Sequence, residues 1–294
     1  LILLKVASIA FKDPQERIYT ITGYQLESFP LAGGSETNTI KTKAWNQHGD
    51  TFVENYMEAF DGEIIFAIYT AYKSPDEIAA MRKEIANICN PLNGIIEMTI
   101  TLNDGSIYHR DIIFTSTPIF PIGLENRNQF WQKVQLQYEA NNPFWYSDKT
   151  ITETFKQSIP LFEFPFEMSE SAPIEFGSLL PTKTVFNEGQ VEAPVTIQIT
   201  GACINPIIEN ITTGEMIRFK NLTMQAGDTL LIDTTFGKKK AIKNGVENVF
   251  YTLDFSSVFF SLKIGENEID FRDDTLITPE ATIFFVYRNM YHTI

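Results

Sequence analysis

Cysteine is nearly missing from this 294-residue chain: Cys89 and Cys203 are the only two, one in each half. Without a C-x-x-C pair or a Cys/His cluster, neither a disulfide framework nor a thiolate metal site is implied, and both thiols read as buried and free. Histidine is almost as scarce. His48, His109 and His292 belong to different segments, and no Gly-x-Ser-x-Gly elbow presents a serine to any of them. His-Glu-x-x-His, Gly-x-Gly-x-x-Gly and the Walker A loop are all absent, which leaves a zinc hydrolase or a phosphate cradle without support. Nor does any apolar run approach the ~20 residues of a membrane span. Leu1-Ile2-Leu3-Leu4 meets Lys5 at once and lacks a signal-peptide layout, so no membrane insertion is expected. The start on Leu1, with no methionine, reads as trimmed.

Positive charge is short as well. Against 37 Asp and Glu stand 23 Lys and Arg, a net charge of −14. The imbalance is even, with −6 in residues 1–150 and −8 in the rest. An acidic chain without a basic stripe is a poor grip for phosphates, and no sequence-specific nucleic acid is expected as a partner. Lys238-Lys239-Lys240 reads as a solvated hairpin edge. Among the carboxylates, Asp270, Asp273 and Asp274 are the closest cluster. They read as a solvated turn in preference to a hydrolytic pair or a calcium loop. The chain is expected to hold no catalytic residues, no metal and no cofactor.

What is present is aromatic and β-forming. Hydrophobic residues make up 44% of the chain, with 24 Phe and 11 Tyr, a composition that favours packed strands. Residues 1–30 read as strands broken at Asp13-Pro14-Gln15-Glu16 and stopped near Pro30. Ala32 to Asn38 is a flexible polar stretch, and the spacing predicts an extended arm within residues 27–60. Ile64 to Tyr72 is an apolar strand. One helix is marked by Ser74 as N-cap, Pro75 at the first helical position and Glu77 closing a capping box. Its stripe of Ile78, Met81, Ile85 and Ile88 faces a core, and Asn90-Pro91 ends it. Alternation over residues 96–102 and 107–114 about Asp104-Gly105 predicts a hairpin with a two-residue turn. A strand over 131–139 then runs into Tyr138-Glu139-Ala140-Asn141-Asn142-Pro143-Phe144-Trp145-Tyr146-Ser147, where proline stops the strand and three aromatics pin the join between domains.

Residues 150–186 carry six phenylalanines among prolines, and Phe162 to Phe166 reads as an extended arm packing on its own domain or on a neighbouring subunit. Beyond about 187 the pattern is all-β. Strands are expected at 195–200, 204–208, 215–219, 229–233, 249–253, 258–262, 268–271 and 281–287, between turn signals such as Gly227-Asp228 and Asn244-Gly245. The fold class is therefore α+β to mainly β. Residues 1–150 form a sheet with one helix and a hairpin, and residues 151–294 form a β-sandwich of jelly-roll type.

The order of these features resembles the distal tail proteins of phages with long, non-contractile tails that infect Gram-positive bacteria. The resemblance rests on the aromatic segment with Pro143, Phe144 and Trp145, and on Asn187-Glu188-Gly189 with Ala193-Pro194 leading into the sandwich. It continues through Asn210 with Thr213-Gly214, Gly227-Asp228, Ile232-Asp233-Thr234 and Gly237. It closes on the late turn of Leu262, Gly265 and Asn267. It spans roughly residues 60–294. Such a resemblance implies a structural virion protein at the distal end of the tail, a homo-hexameric ring joining the tail tube to the tip or baseplate. The first domain would form the ring and the second a galectin-like sandwich. Implied partners are further copies of the chain, the tail tube protein, the tail-associated tip protein, and receptor-binding proteins or host cell-wall glycan. The alternative is a carbohydrate-binding adhesion module. Sugar binding needs exposed rings beside polar groups, and Tyr251, Phe255, Phe259, Phe260, Tyr287 and Tyr291 are numerous enough, although alternation sends most of them to a core.

Overall fold

The computed structural model describes residues 6–29, 35–70, 75–156, 182–274 and 281–294. Pro30, Ala32 to Gly34, the Ser74 cap and the Phe162–Phe166 arm lie outside the described residues. The chain divides into two compact units, residues 1–148 with 291–294, and residues 149–290.

The first unit is built on one antiparallel sheet. Its strands run in the order Ile18–Thr22, Val6–Lys12, Ile96–Leu102, Ile107–Phe114, Trp131–Ala140, Phe60–Tyr69 and Leu26–Ser28. The longest pairing zips Phe60–Tyr69 to Trp131–Ala140 over ten residues. The two edges of this path are consecutive in sequence. Only the 3-10 turn Gly23–Gln25 separates Ile18–Thr22 from Leu26–Ser28, so Thr22 and Leu26 lie within about 14 Å of each other. The sheet must curl until its edges meet at this seam. Alternating residues such as Ile9, Phe11, Phe66, Ile100, Phe114 and Leu136 fill the enclosed side and are fully buried.

The helix Pro75–Ile88 packs on this core through the predicted stripe, with Ile85 and Ile88 buried and Ile78 and Met81 against the same cluster. Cys89 follows in the core, and burial pushes its thiol far above the ordinary value. The hairpin 96–114 forms where expected, but its turn differs. Gly105 alone takes a positive φ, while Leu102 N–H donates to the Ser106 carbonyl and Gly105 N–H to that of Leu102. That is a three-residue loop with its glycine in the left-handed position.

The second unit is a sandwich. One sheet has the order Ile151–Lys156, Thr282–Tyr287, Thr196–Thr200, Thr229–Asp233, Lys240–Lys243 and Glu247–Asn248. The other has the order Lys183–Asn187, Gly265–Arg272, Ile207–Asn210 and Glu215–Arg218. Inward residues of both, among them Ile197, Ile199, Leu230, Ile232, Ile208 and Phe285, form one buried cluster. Cys203 belongs to it, its thiol pushed up to about 12 by burial.

Three expectations change here. The strand expected at 249–253 is a 3-10 turn, Phe250–Thr252, because Asn248 Oδ1 accepts the Phe250 N–H and Thr252 Oγ1 donates to the Val249 carbonyl. The strand at 204–208 is split into Cys203–Ile204 and Ile207–Asn210 by Asn205, at φ +51°, and Pro206. Of the strand at 258–262 only Ser261–Leu262 pairs, with Ala193–Pro194.

The seam yields a test. A Cβ on Gly23 would lie 2.0 Å from the Val6 carbonyl oxygen, a backbone atom that cannot rotate away. Gly23→Ala should lower stability by about 2 kcal/mol or more, read as an earlier urea midpoint, and an unchanged midpoint would show that the seam has slack.

Candidate functional site

Among the described residues, the hairpin of Thr37–Thr42 and Thr51–Met57 pairs only with itself. Every residue of both strands is exposed, on both faces. A two-stranded hairpin with no third element is marginal in water. This one also carries Ile40, Phe52, Val53 and Tyr56 outward and Trp45 at its tip, the last 93% exposed. The tip is shaped by polar contacts: Gln47 Oε1 accepts the Ala44 N–H at 2.9 Å, and Gln47 Nε2 donates to Thr51 Oγ1 at 2.8 Å. It is a formed arm whose apolar side chains have no cover within the described chain, in the region where the sequence predicts one.

At the end of the first unit, the segment after Ala140 is held by Arg110. This side chain is 2% exposed. Its guanidinium lies 3.8 Å from the Trp145 ring centroid and 5.0 Å from that of Phe60, and Nη2 donates to the Pro143 carbonyl at 2.6 Å. No carboxylate among the described residues pairs with it, so aromatic faces and a carbonyl supply the negative potential. Burial brings its pKa down to about 10, still cationic at neutral pH. Pro143 and Trp145 are buried, Phe144 is half-buried, and Phe144 N–H donates to Asn142 Oδ1 at 3.1 Å. Trp145–Ser147 then pairs with Ile107–Phe114.

His109 sits beside this strand. Its Nδ1 lies 2.8 Å from Glu97 Oε1 and 3.0 Å from Thr99 Oγ1, its Nε2 lies 2.9 Å from Asp148 Oδ1, and its ring stacks on Tyr146. A hydroxyl, an imidazole and a carboxylate in a row look like a triad. Yet Glu97 competes for the same nitrogen as Thr99 and the ring is 8% exposed, which makes it a clasp holding Asp148 to its strand. Among the described residues no group of three or more His, Cys, Asp or Glu is arranged to hold a metal ion.

In the second unit the signature residues are structural. Asn267 faces the core, fully buried. Its Oδ1 accepts Lys263 N–H at 2.9 Å and Asn210 Nδ2 at 3.1 Å, and its Nδ2 donates to the Lys263 carbonyl at 2.8 Å and the Gly265 carbonyl at 3.1 Å. Gly265 holds φ at +88°, the left-handed position this turn requires. Gly227 does the same at +92° before Asp228. Asp228 accepts the Gln225 N–H at 2.8 Å and Asn244 Nδ2 at 2.8 Å, and pairs with Lys243 Nζ at 3.1 Å. These contacts, the Gln225 bond foremost, bring its carboxyl down to about 2. The Asp270 cluster is not the solvated turn expected: Asp270 is buried on strand Gly265–Arg272, 2.9 Å from Arg272 Nε, and Asp274 accepts Asn205 Nδ2 at 2.9 Å.

The aromatic residues considered for sugar binding separate. Phe260 and Tyr287 are buried, and Tyr291 packs on Tyr108 in the first unit. Tyr251 and Phe255 stand in solvent, and Phe259 stacks on Phe250 with centroids 5.4 Å apart and planes 10° apart. Lys239 Nζ lies 5.8 Å from the centroids of both Phe259 and Phe236. A cavity of about 280 Å³ adjoins Phe259.

The chain is thus made of two units, a curled sheet with a projecting arm and a sandwich tied by buried asparagines. Residues 188–291 match the family of siphovirus-type tail components, C-terminal domain. The match begins inside Asn187-Glu188-Gly189, where the sequence resemblance sets the lead-in to the sandwich. No curated protein matches the chain in sequence. Among solved structures, the SPP1 Dit (gp 19.1) protein, described as a paradigm of the hub adsorption apparatus in phages infecting Gram-positive bacteria, has a TM-score of 0.64 at 10% identity, covering 96% of this chain and 98% of its own. A chain of the phage P2 baseplate, in its activated conformation with calcium, has a TM-score of 0.51 at 12% identity, covering 98% and 99%. The chain thus shares the Dit fold over nearly its whole length.

Two outcomes follow from this geometry. Arg110→Ala, which leaves the Pro143 carbonyl unpaired and a void under Trp145, should cost about 2–4 kcal/mol. Arg110→Met, which keeps most of the volume, should cost less, and equal urea midpoints for all three proteins would refute the clamp. For Asp228, the folded carboxyl titrates below the unfolded one, so its stabilising contribution is present above pH 4 and lost as pH falls towards 2. Asp228→Asn should flatten the thermal stability profile across that window relative to the parent chain.

Proposed function

We propose that this chain is the hub subunit at the distal end of a phage tail, a ring-forming structural protein that joins the tail tube to the tip or baseplate. The observation that carries this reading is the arm at residues 37–57. An all-exposed hairpin with a tryptophan tip needs a second surface, and a cyclic assembly supplies one by passing each arm to the next copy through a heterologous contact. Likeness of the whole chain to a Dit hub protein supports the same role. Six copies, as the sequence resemblance implies, would make the ring, with the tail tube protein and the tail-associated tip protein as its axial neighbours. The net charge of −14 per chain suits a conduit for DNA, since like charges repel and no basic stripe retains the polymer. The role is architectural. The work done by the chain is to hold partners in register.

Light scattering on the size-excluded chain, followed by negative-stain imaging, tests the proposal. A particle near six times the 33.5 kDa chain mass with a central hole is expected. The double change Phe52→Ser with Trp45→Ser, which touches no core residue, should yield monomers with an unaltered circular dichroism spectrum. A parent chain that stays monomeric at high concentration, both alone and with the tube protein, would overturn the ring.

A further inference from the structure

Three carboxylates gather around His109 on one face of the first sheet. Glu97 and Asp111 stand directly opposite each other on neighbouring strands, and Thr99 stands opposite His109 two residues further on. Like charges in that register repel. Asp148 arrives from the segment after Trp145–Ser147, whose Tyr146 pairs with His109 and donates its hydroxyl to Asp111 Oδ1 at 2.7 Å. Lys12, opposite Glu97 on the strand at its other side, is already bonded to Glu16 at 2.5 Å. Alternation sends Arg110 to the other face, against Trp145. From the strand Met290–Tyr291 comes Tyr291, whose ring meets Tyr108. The imidazole is therefore the group with a cationic form that touches two of the three acids.

The ring's donor count decides what it can hold. Nδ1 lies 2.8 Å from Glu97 Oε1 and Nε2 lies 2.9 Å from Asp148 Oδ1. A neutral imidazole has one N–H, so one of these carboxylates would face a lone pair, and only the imidazolium donates to both. The neutral ring has a second arrangement within reach. Thr99 Oγ1, 3.0 Å from Nδ1, can donate its proton there, and the Glu97 side chain, 40% exposed, has water to turn to. We propose that His109 is a proton-operated latch on the segment Trp145 to Asp148, by which the chain leaves the first unit. Protonated, the ring binds Glu97 and Asp148 as ion pairs and offsets the repulsion between Glu97 and Asp111. With the Nδ1 proton lost, it takes the Thr99 hydroxyl in place of Glu97 and keeps Asp148 by a neutral hydrogen bond alone. The latch tightens as pH falls and loosens as pH rises.

The test is imidazole nitrogen NMR on the full chain, across the pH range in which it stays folded, with amide exchange at Asp148 as a second readout. The Asp148 N–H donates to the Ile107 carbonyl at 3.2 Å. Its exchange, corrected for the intrinsic rate and referenced to the Ile112 amide, reports on the held segment. Below the ring's midpoint both nitrogens should carry hydrogen, and above it Nε2 alone. Exchange at Asp148 should rise several-fold across the same midpoint and stay level in His109→Gln. Glu97→Gln and Asp148→Asn should each lower the midpoint by about one unit, as for losing one adjacent opposite charge. Thr99→Val, which strips the neutral ring of its partner, should raise it. An Nδ1–H tautomer above the midpoint, a midpoint indifferent to both acid variants, or Asp148 exchange that ignores the ring's titration would each overturn the latch. All of these readouts lie within the first unit and stand apart from ring assembly.

Discussion

A buried guanidinium with no carboxylate partner among the described residues is the interaction on which the end of the first unit depends. Arg110 is cationic in an apolar setting, and that is tolerable only while Trp145, Phe60 and the Pro143 carbonyl stay around it. The dependence runs both ways. Trp145 reaches the core because its other face has a cation to rest on, and the turn at Asn142-Pro143 keeps its shape because its carbonyl has a donor. His109, Tyr146 and Asp148 then continue the same edge with polar contacts.

Polar groups inside apolar layers recur in the second unit. Asn210 and Asn267 occupy inward positions where the neighbours in phase are Ile208, Ile269 and Phe271. The Asn267 amide is matched to backbone groups of the Lys263–Asn267 turn and accepts from the Asn210 amide, so the pair ties turn geometry to strand register. Substituting an aliphatic residue would leave the turn's N–H and carbonyls without partners, at a cost of about 1–3 kcal/mol for each group stranded. Gly227, Asp228, Gly265 and Asn267, on which the sequence resemblance rests in this unit, shape turns and buried contacts, and they say nothing about what the surface binds.

The elements most legible in the sequence were those whose local chemistry agreed with their surroundings. The helix at Pro75–Ile88, the hairpin about Gly105 and the alternation at Thr196–Thr200 and Thr229–Asp233 each carry a period, a cap or a turn that decides the matter. Phe250–Thr252 misled because a run of β-formers says nothing of the Asn248 side chain that bends it. The Asp270 cluster misled because Arg272 and the strand pairing absorb what looked like loop charge. Arg110 had a visible mark, since it falls in phase with Ile112 and Phe114 on a buried row, but its partners lie more than 30 residues away. The clasp of His109 spans 39 residues to Asp148 and left no local trace. Nor could spacing reveal the cavity at Phe259, whose walls come from three stretches of chain.

The all-exposed arm has a further consequence, for folding and not for architecture. Its contacts are local, so it can close within microseconds, but its own two strands bury almost nothing. Its folded fraction is then set by mass action: anything that covers it stabilises it in proportion to concentration over dissociation constant. Left uncovered, the arm is a frayed segment on a folded body, and in the proposed ring the neighbouring copy would complete its folding. Concentration becomes part of the folding instruction.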